Sequence, residues 1–420
     1  MNPVAAGRED MLSLSDVEAA RDRVADVARH TPLEYSPGFS ERTGAEVHLK
    51  LENFQRTGAF KIRGALNRIA TLSEENRAAG VVTASAGNHA QGVALAATRS
   101  GVDSLIVMPE HAPISKVQAT ERYGGEVVLY GEDYDEAQVR AHEVEREEGM
   151  TYVHAFDDEA VMAGQGTIGL EIVEDCPGVD TVVVPIGGGG LVSGIATAVK
   201  GLDPDTRVVG VQAKGAASVR RSLSQGTVYE RDEVETIADG IATRRVGERT
   251  FDVISERVDE VVEVDDEQTA VALTRLLERE KALVEGAGAV ALAALIDEEF
   301  DYREDEVIVP ALCGGNIDLN VLTTVVLRGL IATGRYLKLE TVLKDRPGAL
   351  RELSAVIADQ GANITAFHHD RTARDVAMRD ARVEIELETR GPEHVERLLG
   401  ALAARGYDVE VLTHEAGEVL

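Results

Sequence analysis

From about residue 45 to residue 330, short runs of apolar residues alternate with glycine-rich turns and alanine-rich amphipathic stretches. Five of these runs predict strands: 80–84, 104–108, 181–185, 207–211 and 306–310. Because the apolar residues in each run are consecutive rather than alternating, both faces of the resulting sheet must be covered, as they are when helices connect parallel strands. The sequence therefore predicts an α/β fold of parallel sheets, in which ligands bind beyond the carboxyl ends of the strands.

The C-terminal part of the chain has a different pattern. In 383–387, valine, isoleucine and leucine alternate with glutamates, which is typical of a strand with one buried face. With its flanking segments this predicts a ferredoxin-like βαββαβ domain over 335–415. Residues 12–330 then form a separate domain of two parallel-sheet subdomains, and the smaller one, about 45–150, is inserted in the larger. We also expect the first helix to begin at a capping box over 15–18.

The protein is strongly acidic, because 74 Asp and Glu against 43 Lys and Arg give its 420 residues a formal net charge of −31. No basic run is present, so we expect no nucleic-acid partner. The acidic residues are spread along the whole chain, and only 4% of the residues are aromatic. Since salt screens the repulsion among such charges, this composition indicates a salt-adapted, halophilic organism.

The sequence contains no segment typical of a membrane or secreted protein. No run approaches the roughly 20 apolar residues of a membrane span, and residues 1–10 lack the basic and apolar regions of a secretory signal. The two cysteines, Cys176 and Cys313, show neither disulfide nor metal-site spacing. We therefore expect a cytoplasmic protein that binds no membrane and no metal.

Four consecutive glycines and a leucine join the strand at 181–185 to a helix. They are Gly187, Gly188, Gly189, Gly190 and Leu191. Glycines let backbone N–H groups approach an anion, and a helix N-terminus adds partial positive charge, so a phosphate group is the expected ligand. A flexible turn is the alternative. A nicotinamide dehydrogenase is disfavoured, because the next strand ends at Gln212 where an Asp or Glu would bind the ribose.

Lys61 lies between an aromatic residue and a glycine, in the segment Phe60-Lys61-Ile62-Arg63-Gly64. An amine is the side chain that forms a Schiff base with an aldehyde cofactor, and burial keeps part of it neutral and nucleophilic. A solvated surface lysine is the commoner explanation of a single such residue. The interpretation of Lys61 as a cofactor ligand therefore depends on the other motifs.

Two further polar segments follow predicted strands. The turn within 85–92 offers a hydroxyl, an amide and backbone N–H groups, which suit a carboxylate or a phenolic oxygen; an ordinary helix cap is the alternative. His89 is interpreted as a structural hydrogen-bonding residue rather than a base. Cys313 begins the segment 313–316 at a strand end, where a neutral thiol can contact a flat ring or simply pack as a small apolar group.

Taken in order, these motifs resemble those of the fold-type II pyridoxal-phosphate enzymes, which share the fold of the tryptophan synthase β subunit, and specifically the threonine ammonia-lyase family. The resemblance covers about 12–330 and includes the segment 31–33. It implies pyridoxal 5′-phosphate as the cofactor. The implied reaction is an α,β-elimination that converts L-threonine to 2-oxobutanoate and ammonia, and L-serine to pyruvate and ammonia.

The same resemblance implies roles for individual residues. Lys61 would bind the cofactor covalently and act as the general base, and Phe60 would lie against one face of the ring. Asn88 would donate a hydrogen bond to the ring 3′ oxygen, and Cys313 would lie at the ring nitrogen. Backbone N–H groups of 187–191 would bind the phosphate. The substrate would be bound by four residues of one turn, Ser85, Ala86, Asn88 and His89.

Residues 335–415 resemble the ACT regulatory domain through the segments 345–350 and 361–364. In that family an amino acid commonly binds between two such domains, and Gly348 and Asn363 are the residues implied to contact it. A purely structural dimerisation module is the alternative. We expect allosteric regulation by an amino acid and a homodimer or homotetramer. Isoleucine biosynthesis is one expected role, and a catabolic role stays open.

Other functions stay open from the sequence. A serine racemase needs a second acid or base on the far face of Cα, and Ala86 stands where racemase relatives carry Ser. A non-catalytic amino-acid sensor is disfavoured by the intact Lys61 and Asn88. Gln212 and Ser218 replace acidic residues that help several relatives bind a cation, which again predicts no metal site.

Overall fold

The computed structural model describes residues 11–373 and 375–413. These residues form two compact units that divide between Leu319 and Asn320. The helices are α1 (Leu14–Val24), α2 (Pro37–Thr43), α3 (Lys61–Ala70), α4 (Glu74–Ala79), α5 (Asn88–Ser100), α6 (Ile114–Arg122), α7 (Tyr134–Glu148), α8 (Glu159–Asp175), α9 (Gly190–Leu202), α10 (Val219–Gln225), α11 (Glu248–Arg257), α12 (Asp266–Arg275), α13 (Gly286–Ile296), α14 (Leu319–Ala332), α15 (Ala349–Asp359) and α16 (Pro392–Ala404). The strands are β1 (Leu33–Tyr35), β2 (Glu46–Lys50), β3 (Val81–Ala84), β4 (Ser104–Met108), β5 (Glu126–Leu129), β6 (Thr151–Tyr152), β7 (Thr181–Pro185), β8 (Arg207–Ala213), β9 (Glu260–Val264), β10 (Val307–Pro310), β11 (Tyr336–Lys344), β12 (Asn363–Asp370), β13 (Asp380–Glu388) and β14 (Val409–Val411).

The first unit contains two sheets. The larger has the strand order β1-β2-β10-β7-β8-β9 and is parallel except for β1, which pairs antiparallel with β2. The smaller has the order β5-β4-β3-β6 and is parallel throughout. All five strands predicted from the apolar runs are present within two residues of their predicted ends, which confirms the predicted parallel α/β architecture.

The smaller sheet shows why consecutive residues of its central strands are apolar. Val81 faces a core built with α3 and α5, whereas its neighbour Val82 faces a second core that includes Ala141 and Val144 of α7. Both valines are fully buried. A strand covered by helices on both faces needs apolar side chains on both, because successive residues point to opposite sides.

Helices α8 and α9 of the first unit pack closely because glycines face each other. A Cβ atom at Gly194 would lie 2.3 Å from the carbonyl oxygen of Met162 and 2.5 Å from the backbone nitrogen of Gly166. Only a residue without a side chain permits this approach. The contact fixes the direction in which α9 leaves the glycine loop.

The first helix begins two residues earlier than predicted, so the predicted capping box over 15–18 is wrong. Ser13 is the N-cap, with extended backbone angles, and its hydroxyl accepts from the backbone N–H of Asp16. The Asp16 carboxylate accepts in turn from the backbone N–H of Ser13 at 3.0 Å. The third helical residue of this capping box is thus an aspartate, where the usual pattern has glutamate or glutamine.

The second unit is an antiparallel sheet in the order β12-β13-β11-β14, built from the strand and helix order β11-α15-β12-β13-α16-β14. This confirms the predicted βαββαβ arrangement. One face of the sheet is buried, with Leu339, Val383 and Ile385 fully covered by the core that includes Leu353 of α15 and Leu398 of α16. The predicted domain limits of 12–330 and 335–415 stay predictions. Among the described residues, no helix combines the length and the apolarity that a membrane crossing requires.

Candidate active site

A cavity of about 690 Å³ opens in the first unit where the carboxyl ends of strands from both sheets come together. The turns after β3, β7 and β10 all contribute to its wall. The structure therefore brings together, from four separate segments, most of the residues singled out in the sequence: Phe60, Lys61, Ser85, Asn88, His89, Gly187, Gly188, Gly189, Gly190, Leu191 and Cys313. Ala86 is not among the lining residues, and its side chain packs against the core of the smaller sheet.

Lys61 is the first residue of α3, and its amine lies inside the cavity wall. Its Nζ donates to the carbonyl oxygen of Ala155 at 2.9 Å and lies 5.2 Å from the centre of the Phe60 ring. Burial lowers the pKa of Lys61 to about 8, and nearby Cys313 and Glu285 partly oppose that shift. At pH 7 roughly a tenth of the amine is then neutral, which is the form that attacks an aldehyde.

Arg63 explains why the segment around Lys61 carries a second basic residue. Its guanidinium is almost fully buried and bonds to two carboxylates, Glu52 at 2.7 Å and Glu171 at 2.6 Å. Its other N–H groups donate to Thr167 and to the carbonyl oxygen of Arg29. All five donors of the side chain are engaged, so α3 is held two residues beyond the reactive amine.

The glycine loop lies against a phenylalanine that follows β6. A Cβ atom at Gly188 would lie 2.3 Å from the Phe156 ring, and one at Gly190 would lie 2.9 Å from the Phe156 carbonyl oxygen. Gly189, the N-cap of α9, has a φ of 97°, which favours glycine. The first intrahelical bond runs from Ser193 N to Gly189 O at 3.0 Å, so the N–H groups before Ser193 can bind an anion.

Cys313 follows β10 and is 2% exposed. Its thiol donates to the carbonyl oxygen of Ala287 at 3.3 Å. Burial raises the pKa of Cys313, with the carboxyl of Glu285 adding to the shift. The side chain is therefore a neutral thiol at physiological pH, and it cannot keep a neighbouring ring nitrogen protonated as a carboxylate would.

His89 is a buried, neutral histidine. Its Nε2 lies 3.0 Å from the carbonyl oxygen of Val153, which can only accept, so Nε2 carries the proton. Burial lowers the pKa of His89 to about 3, with a further contribution from the charge of Lys61. This agrees with the interpretation of His89 as a structural residue rather than a base.

Two residues of the cavity wall were missed in the sequence. Glu285 precedes α13 and accepts from the Asn88 side-chain nitrogen at 2.6 Å. His154 accepts at Nδ1 from the backbone N–H groups of Phe156 and Asp157, so its Nε2 carries the proton when the ring is neutral. Burial raises the pKa of Glu285 to about 7 and lowers that of His154. No local pattern marks either residue, although Glu285 directly precedes a Gly-Ala-Gly helix start that resembles the other ligand-binding turns.

The side-chain amide of Gln212 forms hydrogen bonds with the backbone of the segment that follows β8. Its Oε1 accepts from the backbone N–H groups of Ser218 at 3.0 Å and Val219 at 2.8 Å. Within the ranges that the structure describes, no group of three or more His, Cys, Asp or Glu side chains is arranged to hold a metal ion. The absence of a metal site stays a prediction.

The second unit contains the two residues implied to contact an effector. Gly348 is the N-cap of α15 with a φ of 91°, so its backbone is open to close approach. Asn363 begins β12, and its Nδ2 donates to the Glu388 carboxylate at 2.9 Å. Each lies at the end of an element on its own, and their role stays a prediction.

The cavity has the donor set that pyridoxal 5′-phosphate needs. A partly neutral amine suits its aldehyde, and the N–H groups that precede the first intrahelical bond of α9 suit its phosphate. The amide of Asn88 suits an oxygen on the ring, and the neutral thiol of Cys313 suits an unprotonated ring nitrogen. The residues present therefore fit this cofactor.

Comparison with known proteins gives the same result. The family model of the pyridoxal-phosphate dependent enzymes matches residues 24–314, and that of the ACT domain matches 338–406. Over 402 residues, 96% of this chain, the sequence is 46% identical to the L-threonine ammonia-lyase of Thermotoga maritima, which it covers completely.

Solved structures agree with the sequence matches. The processed form of threonine deaminase isoform 2 from Solanum lycopersicum is similar with a TM-score of 0.73 and 42% identity, over 75% of this chain and 92% of that one. Maize serine racemase is similar with a TM-score of 0.72 and 36% identity, over 76% and 98%. These findings confirm the predicted cofactor and the predicted C-terminal domain. The chain therefore belongs to the pyridoxal-phosphate dependent enzymes, in the threonine ammonia-lyase family, and ends in an ACT domain.

Proposed function

We propose that this enzyme removes ammonia from β-hydroxy amino acids, and that it converts L-threonine to 2-oxobutanoate. The observation that carries the proposal is the buried, partly neutral amine of Lys61 in the same cavity as the glycine loop of 187–191. The name of the Thermotoga maritima relative supports threonine as the substrate. L-Serine, which has the same hydroxyl on Cβ, is the expected second substrate and would give pyruvate.

Lys61 carries the proton transfer. The bound cofactor supplies an electron-poor ring that accepts negative charge from Cα. Lys61 would anchor the cofactor covalently through Nζ, and the same Nζ, once free, would serve as the general base for the Cα proton. The Ala155 carbonyl oxygen, 2.9 Å from Nζ, holds the amine against the cavity wall and directs it.

Other residues bind and orient. Backbone N–H groups at the start of α9 would hold the phosphate, and Asn88 would donate to the ring 3′ oxygen. Cys313 would face the ring nitrogen as a neutral thiol, which would not keep that nitrogen protonated and would therefore favour prompt loss of the β-hydroxyl. Ser85 and the backbone N–H groups of the turn around it, including those of Asn88 and His89, would bind the substrate carboxylate.

The test is ammonia release from L-threonine and L-serine by the purified, cofactor-loaded protein. Lys61→Ala should lose essentially all turnover together with the visible absorbance of the bound cofactor, because no other lysine is among the described residues that line the cavity. Lys214→Ala is the matched control, since Lys214 is exposed and pairs with Asp265. Undiminished turnover in Lys61→Ala would refute the assignment.

A serine racemase is the second candidate, supported by the similarity to the maize enzyme. Ala86 argues against it, because a methyl group cannot return a proton to the opposite face of Cα. Formation of D-serine at rates that rival ammonia release would reverse this ranking. A protein that binds no cofactor would instead revive the amino-acid sensor.

We further propose that an amino acid regulates the enzyme through the ACT domain, with Gly348 and Asn363 as contacts and a homodimer or homotetramer as the working form. Adding isoleucine and valine in turn to the ammonia assay tests regulation and its sign, and a response to isoleucine would support a biosynthetic role. The two free cysteines, one of them buried, suit a reducing cytoplasm.

A further inference from the structure

Three side chains, of which Asn88 and Glu285 line the cavity, form a chain of hydrogen bonds that runs in one direction. The Nδ2 atom of Asn316 donates to the carbonyl oxygen of Thr57 at 2.6 Å and to the Oδ1 atom of Asn88 at 2.8 Å. The Nδ2 atom of Asn88 donates to the Oε1 atom of Glu285 at 2.6 Å. The chain links residues that are 228 and 197 positions apart in sequence.

The direction of this chain is fixed at its first member. A backbone carbonyl can only accept, so the atom of Asn316 that faces Thr57 must be its amide nitrogen. That nitrogen also faces Asn88, whose nearest atom must then be the oxygen. The nitrogen of Asn88 is therefore the atom that faces Glu285, and neither amide can be turned over without losing a bond.

The carboxylate of Glu285 is also held in place by its neighbours. Its carboxylate also accepts from the backbone N–H of Asn316, and burial raises its pKa to about 7. Gly314 lies directly against it, because a Cβ atom there would be 2.3 Å from the Glu285 Oε1 atom. The carboxylate thus occupies one position, at the end of the chain and in the cavity wall.

One donor remains after these bonds are counted. The Asn88 nitrogen carries two hydrogens, of which Glu285 accepts one. The second lies in the same amide plane, and Asn88 lines the cavity. Because the amide is held at its oxygen by Asn316 and at its nitrogen by Glu285, this second N–H is available to an oxygen in the cavity without any rotation, which lowers the entropy lost on binding.

We propose that Glu285 is a positioning residue for the cofactor: it holds the nitrogen of the Asn88 amide while Asn316 holds the oxygen, so that an N–H of Asn88, not its carbonyl, meets the ring oxygen. This inference rests on the proposed contact between Asn88 and that oxygen. Glu285 itself needs no contact with the substrate. The role is distinct from a proton donor, because the hydrogen bond that matters is one that Glu285 accepts.

Cofactor affinity is the direct measurement. Pyridoxal phosphate is titrated into the cofactor-free protein, and the dissociation constant is read from the visible absorbance. Glu285→Met keeps the length of the side chain and cannot accept, so we expect affinity to fall by about tenfold or more, which corresponds to about 1.4 kcal/mol. Glu285→Gln keeps one amide oxygen and should lie between the wild type and Glu285→Met.

A double-mutant cycle separates positioning from a general structural effect. In an Asn88→Ala background the amide is gone, so Glu285→Met should then change affinity by less than about twofold. Equal losses in both backgrounds, or unchanged affinity in Glu285→Met alone, would overturn the proposal. The matched control is Glu280→Met, since Glu280 accepts from Ser36 and does not line the cavity.

Folding and function are checked separately. Thermal unfolding of each cofactor-free variant establishes that it is folded, and if Glu285→Met does not fold, the cycle is run with Glu285→Gln. Affinity is measured without substrate, so an enzyme that released no ammonia from threonine or serine would refute the proposed function while the affinity series still decides the role of Glu285. Additive losses would refute that role alone.

Discussion

At the scale of single residues, the site depends on burial more than on charge. The cavity holds one lysine, one glutamate and one cysteine whose pKa values all move toward the neutral form: down to about 8 for Lys61, up to about 7 for Glu285 and upward for Cys313. The common cause is desolvation, which disfavours the charged form of each group. The site is therefore a region in which an amine can be a nucleophile near neutral pH.

The shifted lysine can be tested in the cofactor-free protein. Only the neutral amine reacts with an acylating reagent, so the reactivity of Lys61 should rise with pH to half its maximum near pH 8 rather than near its ordinary value of 10.5. Mass spectrometry of the peptide that contains Lys61, after brief labelling at a series of pH values, gives the midpoint. Loading the cofactor should protect the peptide, and a midpoint near 10.5 would contradict the burial of the amine.

At the scale of elements, glycines decide where α9 points and hence where the phosphate site lies. The approach of Gly194 to the Met162 carbonyl oxygen leaves no space for a methyl group. The loop 187–191 lies at the N-terminal end of the same helix, so the packing of α9 against α8 and the position of the loop are linked.

We expect Gly194→Ala to lower the stability of the cofactor-free protein by about 1–3 kcal/mol, because the added methyl forces backbone to move in a packed interface. The matched control is Gly400→Ala in α16, where the added Cβ meets nothing within 4 Å, and where alanine should leave stability unchanged or raise it slightly. Urea unfolding of both variants gives the change in the free energy of unfolding, and its sign, for each substitution. Equal stability of Gly194→Ala and the wild type would show that α8 and α9 can separate at little cost.

The elements were predictable from the sequence, and the contacts among them only in part. Runs such as 181–185 predict buried strands because their apolar residues are consecutive, and the glycines that follow predict a turn. Glu285 was missed because its role depends on Asn88, which begins helix α5 and lies 197 positions away in sequence. His154 was missed for a different reason: its tautomer is set by the N–H groups of Phe156 and Asp157 in a turn that no sequence pattern marks.

At the scale of the whole molecule, the net charge of −31 opposes compactness. Ion pairs relieve only part of the repulsion among the acidic side chains. Most pairs in the described ranges are solvent-exposed, such as Arg21 with Glu174. Exposed pairs contribute little to stability. The long-range repulsion that remains falls as the Debye length shortens.

We therefore expect the midpoint of thermal unfolding to rise between about 0.1 M and 2 M potassium chloride, because screening relieves the repulsion. Chloride is the appropriate anion, since sulfate stabilises most proteins by exclusion from their surface. Differential scanning calorimetry across the salt series gives the slope. A midpoint that falls with added chloride would remove the basis for a salt-adapted origin.

The buried guanidinium of Arg63 has one more consequence. Glu52 and Glu171 bind it from two sides, and this holds the main chain at Lys61 in place. Movement of the Lys61 amine between the cofactor and the substrate must therefore come from rotation about the bonds of its four methylene groups, without movement of the backbone.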